Sequence, residues 1–218
     1  MTLTLAPTSL TDLEASWEIY AHYFGDEGLG KREDCYSLLK CPYSCWTLKD
    51  DGQIIGGFSL FSLSSAFLSA ILAGQRFDSE ITFEDVLPFK QGEPAHLYLA
   101  AGAVDASLPA HARKFYAGRL AGSFASVICL LYEQGYTIEA IYGLAVTAEG
   151  EQIISRIGFT PLGEIVNTYH YKPYSYAMTE QGLKRLRSLR RLAPALLADS
   201  PDAIKISSEG ALPVPSSL

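Results

Sequence analysis

Residues 93–163 leave this chain few ways to fold, because they read strand, loop, helix, strand, helix. The stretch opens on His96-Leu97-Tyr98-Leu99-Ala100-Ala101-Gly102-Ala103-Val104-Asp105, an apolar run of strand length with a β-rich start. A basic, glycine-bearing segment over 110–119 follows and runs into a helical pattern that ends near Gly135. A second strand spans 138–146, and a short helix spans about 149–156. Two strands joined by a helix form a parallel pair, and such a pair parts most easily where the loop leaves the first strand. A helix that starts there points unpaired N–H groups into the gap, ready for a phosphate. The pattern therefore predicts two strands diverging just past Val104.

The rest of the chain is consistent with one folded domain. It has 218 residues, of which 48% are hydrophobic and 19% charged, which excludes a disordered chain. A net charge of −7 speaks against a nucleic-acid partner. Residues 1–7 carry no basic segment of the kind that opens a signal peptide, and the apolar window 56–74 is interrupted by glycines and serines. No membrane partner and a cytoplasmic location are therefore expected. Cys35, Cys41, Cys45 and Cys129 match no common zinc spacing, so reduced thiols and no metal are expected.

In order, residues 2–5 alternate as a short strand, and Ser9-Leu10-Thr11-Asp12 opens a helix with Leu13, Trp17 and Tyr20 or Phe24 on one stripe. A second short helix over 31–40 stops at Cys41-Pro42. Strands at 44–48 and 53–63 flank the hairpin turn Lys49-Asp50-Asp51-Gly52. Residues 64–75 read as helix or irregular apolar segment, followed by the acids Asp78, Glu80, Glu84 and Asp85. That insertion is either a substrate cover or a peripheral packing segment. A late strand is expected at 165–171 and a helix at 177–192. This helix holds five of the 17 basic residues, leaving open a solvated face or a contact with an acidic surface or partner subunit. Residues 200–218, rich in proline and serine, read as a loose tail. The domain division follows: 1–175 as the folded unit and 176–218 as basic helix and tail, with a homodimer left open.

The order and spacing of Val104-Asp105, Gly118, Leu144-Ala145-Val146 and Ile157-Gly158-Phe159 with Gly163 resemble the Gcn5-related N-acetyltransferase (GNAT) superfamily, most specifically over 96–164. The resemblance implies an α/β fold: a mixed central sheet of six to seven strands, splayed between the fourth and fifth and flanked by helices. It also implies an acyl-CoA, most simply acetyl-CoA, as co-substrate and a small-molecule or peptide amine as acceptor. The amine would attack the thioester directly.

Residue by residue, the resemblance implies that Gly102, Ala103 and Val104 align the pantetheine arm through their backbone. It sets the pyrophosphate on Lys114, Phe115, Tyr116, Ala117, Gly118 and Arg119. The family's phosphate pattern, Arg or Gln, two residues, Gly, one residue, Gly or Ala, falls on Phe115, Gly118 and Leu120, and departs from it at the first and last. Thr147 stands where the family often has an asparagine for the pantetheine. The family's strand glutamate falls on Tyr98. His96 is two residues away on the same face, with a pKa suited to accept a proton near neutral pH. The usual tyrosine acid is replaced by Ile154. These departures leave two alternatives open: a GNAT-fold CoA-binding or regulatory module without turnover, and an interaction protein working through the basic C-terminal helix.

Overall fold

The computed structural model describes residues 2–163 and 171–194. Seven strands form one sheet in the order β1-β2-β3-β4-β5-β7-β6. They are β1 (Leu3–Pro7), β2 (Cys45–Asp50), β3 (Gln53–Ser62), β4 (Pro94–Val104), β5 (Thr137–Ala145), β6 (Thr160–Pro161) and β7 (Lys172–Ala177). Every neighbouring pair is antiparallel except β4–β5. Residues 93–163 lead one to expect the parallel pair, and the GNAT resemblance the mixed sheet around it.

Local chemistry sets these elements. The β2–β3 hairpin turns on Asp51 and Gly52, both at positive φ (47° and 83°), a backbone that matches strand twist and suits these two residues. Helix α1 (Leu10–Phe24) is closed at its start by a reciprocal pair: the Ser9 hydroxyl accepts from the Asp12 N–H, and the Asp12 carboxylate accepts from the Ser9 N–H. Helix α2 (Arg32–Leu38) ends before Cys41-Pro42, and α3 (Ser65–Leu72) begins on the Ser64 cap. Two single turns of 3₁₀ helix, Asp78–Glu80 and Phe83–Asp85, make up the insertion ahead of β4.

The sheet carries a core on each face. One side packs β1 through β5 against α4 (Ala110–Glu133), α5 (Ala148–Ile157) and α6 (Glu180–Leu189), with Leu60, Leu97, Val127, Ile128, Leu131, Ile141 and Leu186 fully buried. The other side packs Phe61, Leu63 and Tyr98 against Leu38, Phe67 and Ile71 from α2 and α3. Helix α4 is long and apolar enough to cross a membrane by composition, and the fold places it as the central core helix instead, with nine consecutive or near-consecutive residues from Gly122 onward buried.

The C-terminal elements differ from expectation in place. The strand expected at 165–171 lies almost wholly outside the described residues, and the observed β7 follows it, so residue 175 falls inside a strand. Thr179 caps α6, which starts at Glu180 rather than 177. Two basic residues of this stretch are engaged within the chain: Arg185 donates to the Arg156 carbonyl at 2.7 Å, closing the end of α5, and Arg190, just past α6, pairs with Glu133 at 2.6 Å. The tail at 200–218 lies outside the described residues.

Candidate active site

Strands β4 and β5 pair in parallel from Pro94↔Thr137 to Leu99↔Gly143, and no further. Beyond that point β4 stays on β3, down to Val104↔Gly56, while β5 stays on β7, down to Ala145↔Lys172. The parting coincides with a bulge. Ser59 pairs with Ala101 and Leu60 with Leu99, so Ala100 is an extra residue that bends β4 away from β5. The strands therefore diverge five residues earlier than Val104, the point expected from sequence, and the gap is correspondingly deeper. Small side chains at 100–103 keep it open.

The Asp105 N–H donates to the Ile55 carbonyl, which fixes the alternation along this half of β4. Gly102 and Val104 accordingly turn their peptide groups away from β3 and toward the gap. The Val104 carbonyl accepts from the Tyr23 hydroxyl of α1 at 2.9 Å, and Gly102, paired with Phe58 of β3, is exposed with no strand on its other side. Past Asp105 the chain turns directly into α4. Pro109 caps that helix without a side-chain hydrogen bond, and the first turn holds no acidic residue. The N–H groups of Ala110, His111 and Ala112 precede the first helical hydrogen bond, from the Arg113 N–H to the Pro109 carbonyl. Arg113 also ties the turn together through the Ala106 and Leu108 carbonyls, at 3.1 and 3.0 Å.

The segment 114–119, expected as the phosphate loop, is helix. Pro109 starts α4 because proline lacks the N–H that a first turn leaves unpaired. Gly118 thus lies in the third turn, its N–H inside the helical ladder. The neighbouring side chains are engaged elsewhere: Tyr116 donates to Asp50 at 2.6 Å, and Arg119 stacks on Phe115 and donates to the Leu192 carbonyl at 2.9 Å. Lys114 is exposed and Ala117 half-buried on the same helix. Thr147 is the cap of α5, its hydroxyl accepting from the Gly150 N–H at 3.0 Å.

The two residues expected to act on protons are separated from each other in role. His96 lies in the zipped half of β4, opposite Ala140, with its Nε2 3.2 Å from Glu139. Tyr98 is fully buried, and its hydroxyl donates to the Asp78 carboxylate at 3.3 Å. Burial pushes the Asp78 carboxyl up to about 6, against the opposing pull of the Tyr98 hydrogen bond. Burial likewise raises the Tyr98 phenol well above its ordinary value, with the Asp78 charge adding to the shift. Ile154, at the position of the family's tyrosine acid, is buried in the core.

Asp78 was hidden in the sequence among four acids, and only its spacing to Tyr98 in the fold separates it from them. The turn that carries it is pressed under the loop between α1 and α2. Gly30 there has φ of 75°, and a Cβ on it would meet the Ser79 carbonyl at 2.5 Å. The insertion thus packs closely against the loop between α1 and α2. Between it, α1, α2 and the sheet lies a cavity of 110 Å³, lined among others by Leu13, Trp17, Tyr20, Cys45, Phe61 and Ala100. The bulge residue Ala100 therefore borders this cavity and marks the head of the β4–β5 gap.

No family model matches the chain, and no curated protein matches it. Solved structures do. A GNAT-like decarboxylase, GphF, in complex with isobutyryl-CoA aligns at a TM-score of 0.58 and 14% identity, over 81% of this chain and all of the other. An N-acyl amino acid synthase from uncultured soil microbes aligns at 0.54 and 15%, over 86% and 93%. The apo form of an agmatine N-acetyltransferase mutant aligns at 0.52 and 15%, over 82% and 100%. At such identities the likeness concerns the course of the backbone. Seven strands with one parallel pair, flanked by helices and parted at Leu99 and Gly143, give this chain the GNAT fold, as a divergent example of it.

Proposed function

We propose that the protein is an N-acyltransferase that moves an acyl group from acyl-CoA, most simply acetyl-CoA, to a primary amine. The observation that carries this reading is the parting of β4 from β5 at the Ala100 bulge. It leaves the Gly102 and Val104 peptides facing a gap that ends at an uncapped helix start. A pantetheine arm has amides spaced to hydrogen-bond to such a strand edge, and a pyrophosphate suits free N–H groups at a helix N-terminus. On this reading Gly102, Ala103 and Val104 hold the arm. The pyrophosphate sits on Ala110, His111 and Ala112, with the charges of Arg113 and Lys114 close by, and not at Gly118. The solved neighbours that carry or transfer acyl groups support the same chemistry.

The reaction needs little covalent help from the protein. A thioester is already activated, so alignment of the amine, removal of one proton and support for the developing oxyanion supply most of the acceleration. A second reading, a CoA-binding module without turnover, draws on Ile154, which cannot donate a proton to the leaving thiolate. Titration calorimetry with acetyl-CoA tests the first claim on the full chain, and release of free thiol in the presence of amines separates the two readings. Micromolar binding with thiol release is expected. Absence of heat with acetyl-CoA and with longer acyl-CoAs would remove the cofactor role altogether.

A further inference from the structure

Among the described residues Asp78 is the only charged side chain lining the 110 Å³ cavity; the rest of that wall is apolar or neutral. Among the described residues no lysine or arginine pairs with it, and its one side-chain partner is the Tyr98 hydroxyl. A carboxylate turned into an apolar cavity without a counter-ion is costly unless a cation joins it. The cavity is closed beyond by aromatic and aliphatic groups from α1 and α2. A void of roughly 150 Å³ accepts a benzene ring, so this one suits a ring or a branched alkyl group at most. Ala100 and Ala101 form part of the same wall, so the cavity that Asp78 lines adjoins the start of the unpaired stretch of β4.

We propose that this cavity binds a primary amine with a compact apolar body, and that Asp78 holds the amine nitrogen and accepts its proton in the transfer. The inference rests on the acyltransferase reading above and adds to it the acceptor class and the base. The ammonium gives one proton to the Asp78 carboxylate. The freed lone pair forms the C–N bond to the thioester carbonyl carbon, and the C–S bond breaks with its electrons to sulfur. The thiolate then takes the second proton lost by the nitrogen. Burial beside apolar groups disfavours the ammonium while the Asp78 charge favours it, and the proton passes to the carboxylate as the nitrogen lone pair engages the thioester carbon.

Titratable groups around the cavity come from every element packed against it. They are Tyr20 on α1, Cys35 on α2, Cys45 on β2, Tyr98 on β4 and Glu80 on its own turn, with Lys31 and Asp34 on the outer rim. Burial raises both thiols and both phenols, Cys45 to about 12, so all four stay neutral from pH 5 to 9. Glu80 is exposed and held by Arg76 at 3.2 Å.

The test begins with binding, read by calorimetry at pH 7.5 on the full chain, with 2-phenylethylamine and isobutylamine as compact probes and spermidine as an extended polar one. The compact amines are expected to bind at least tenfold more tightly than spermidine, and Asp78→Asn to weaken them at least tenfold while leaving acetyl-CoA affinity unchanged. Turnover, read as thiol release from acetyl-CoA, should fall at least 100-fold in Asp78→Asn, with loss of the acid limb of the pH profile. Tyr98→Phe keeps the carboxylate and removes the hydrogen bond that holds its pKa down, so its acid limb should move to higher pH. Ser59→Leu, which fills the cavity from β3, should raise KM for 2-phenylethylamine with little change in acetyl-CoA affinity. The proposal is overturned if neither compact amine binds the unaltered protein, or if Asp78→Asn keeps its acid limb. It is also overturned if Ser59→Leu spares the amine and instead shortens the acyl chain accepted, which would make the cavity an acyl site. Failure of acetyl-CoA to bind would instead overturn the acyltransferase reading, with amine binding at Asp78 still measurable by itself.

Discussion

The two halves of β4 belong to one strand of eleven residues and behave as different materials. From Pro94 to Leu99 it is paired to β5, with β3 on its other side from Leu97 onward, and its polar side chain His96 meets Glu139 at the surface. From Ala100 to Val104 it is paired on one side only, and its free peptide edge faces a gap. Side-chain size and one inserted residue make the difference. Leu97, Tyr98 and Leu99 fill the space between layers, whereas Ala100, Ala101, Gly102 and Ala103 do not, and the bulge at Ala100 turns the second half outward. On the acyltransferase reading, the paired half would hold position and the unfinished half would receive the ligand. Tyr98 and its partner Asp78, the proposed place of proton transfer, stand where the two meet.

The largest expected effect comes from closing the unfinished half. A Cβ built on Gly102 meets nothing within 4 Å, so the fold has room for Gly102→Phe, yet the ring would occupy the gap. Acetyl-CoA affinity should drop at least about 100-fold, on the order of 3 kcal/mol, with the melting temperature nearly unchanged. Calorimetry and a thermal melt measure both. Unchanged affinity would mean that the open edge of β4 is not where the arm lies.

The junction of the halves is expected to show its cost through pH. Asp78 has its folded pKa raised to about 6 from an ordinary 3.8. Below pH 4 it is protonated in folded and unfolded chains alike, and no penalty exists. As pH rises through 4 to 6 the unfolded chain ionises first, and stability is lost until the folded group ionises too. Two pK units at 1.36 kcal/mol each put the full penalty at about 3 kcal/mol above pH 7. Asp78→Asn should therefore be more stable than the parent by up to about that amount at pH 8, and equal to it at pH 3.5, by urea unfolding. A variant that is less active and more stable would mark a group kept for chemistry.

Much of this architecture was legible in the chain itself. Apolar runs, the Asp51-Gly52 turn and the alternation of strand and helix over 93–163 led directly to a mixed sheet with one parallel pair, because these signals are local. The site was less legible, for three physical reasons. Gly118 suggested a loop, although a 24-residue helix with a buried face tolerates a glycine that costs about 1 kcal/mol. Pro109 carried the true start signal. The bulge leaves no mark beyond a run of small residues, so the parting was placed at Val104 instead of Leu99. Asp78 meets Tyr98 across twenty positions, and nothing in a one-dimensional pattern distinguishes it from Glu80, Glu84 or Asp85.

A smaller effect tests the helix against the loop. Gly118 lies within α4, and a Cβ there meets nothing within 4 Å. Gly118→Ala should raise stability by about 0.5–1 kcal/mol, through helix propensity, and leave acetyl-CoA affinity as it was. A loop at this position would give the opposite pair of results, with no gain in stability and weaker binding. Urea unfolding alongside calorimetry reads both.

The smallest expected change comes from His96, in the rigid half. Its Nε2 contact with Glu139 joins two side chains that are 40% and 53% exposed, and such pairs contribute little in water. Its Nδ1 is buried without a partner among the described residues, which offsets part of even that gain. The ring also lies in the zipped stretch opposite Ala140, before the strands part, so no amine held at Asp78 needs it. His96→Ala is accordingly expected to shift stability by no more than about 0.5 kcal/mol and to keep thiol release within about twofold of the parent. A tenfold fall in turnover at unchanged acetyl-CoA affinity would return the proton-accepting role to His96. It would also mean that the paired half of β4 takes part in the chemistry, and the division of labour along the strand would have to be redrawn.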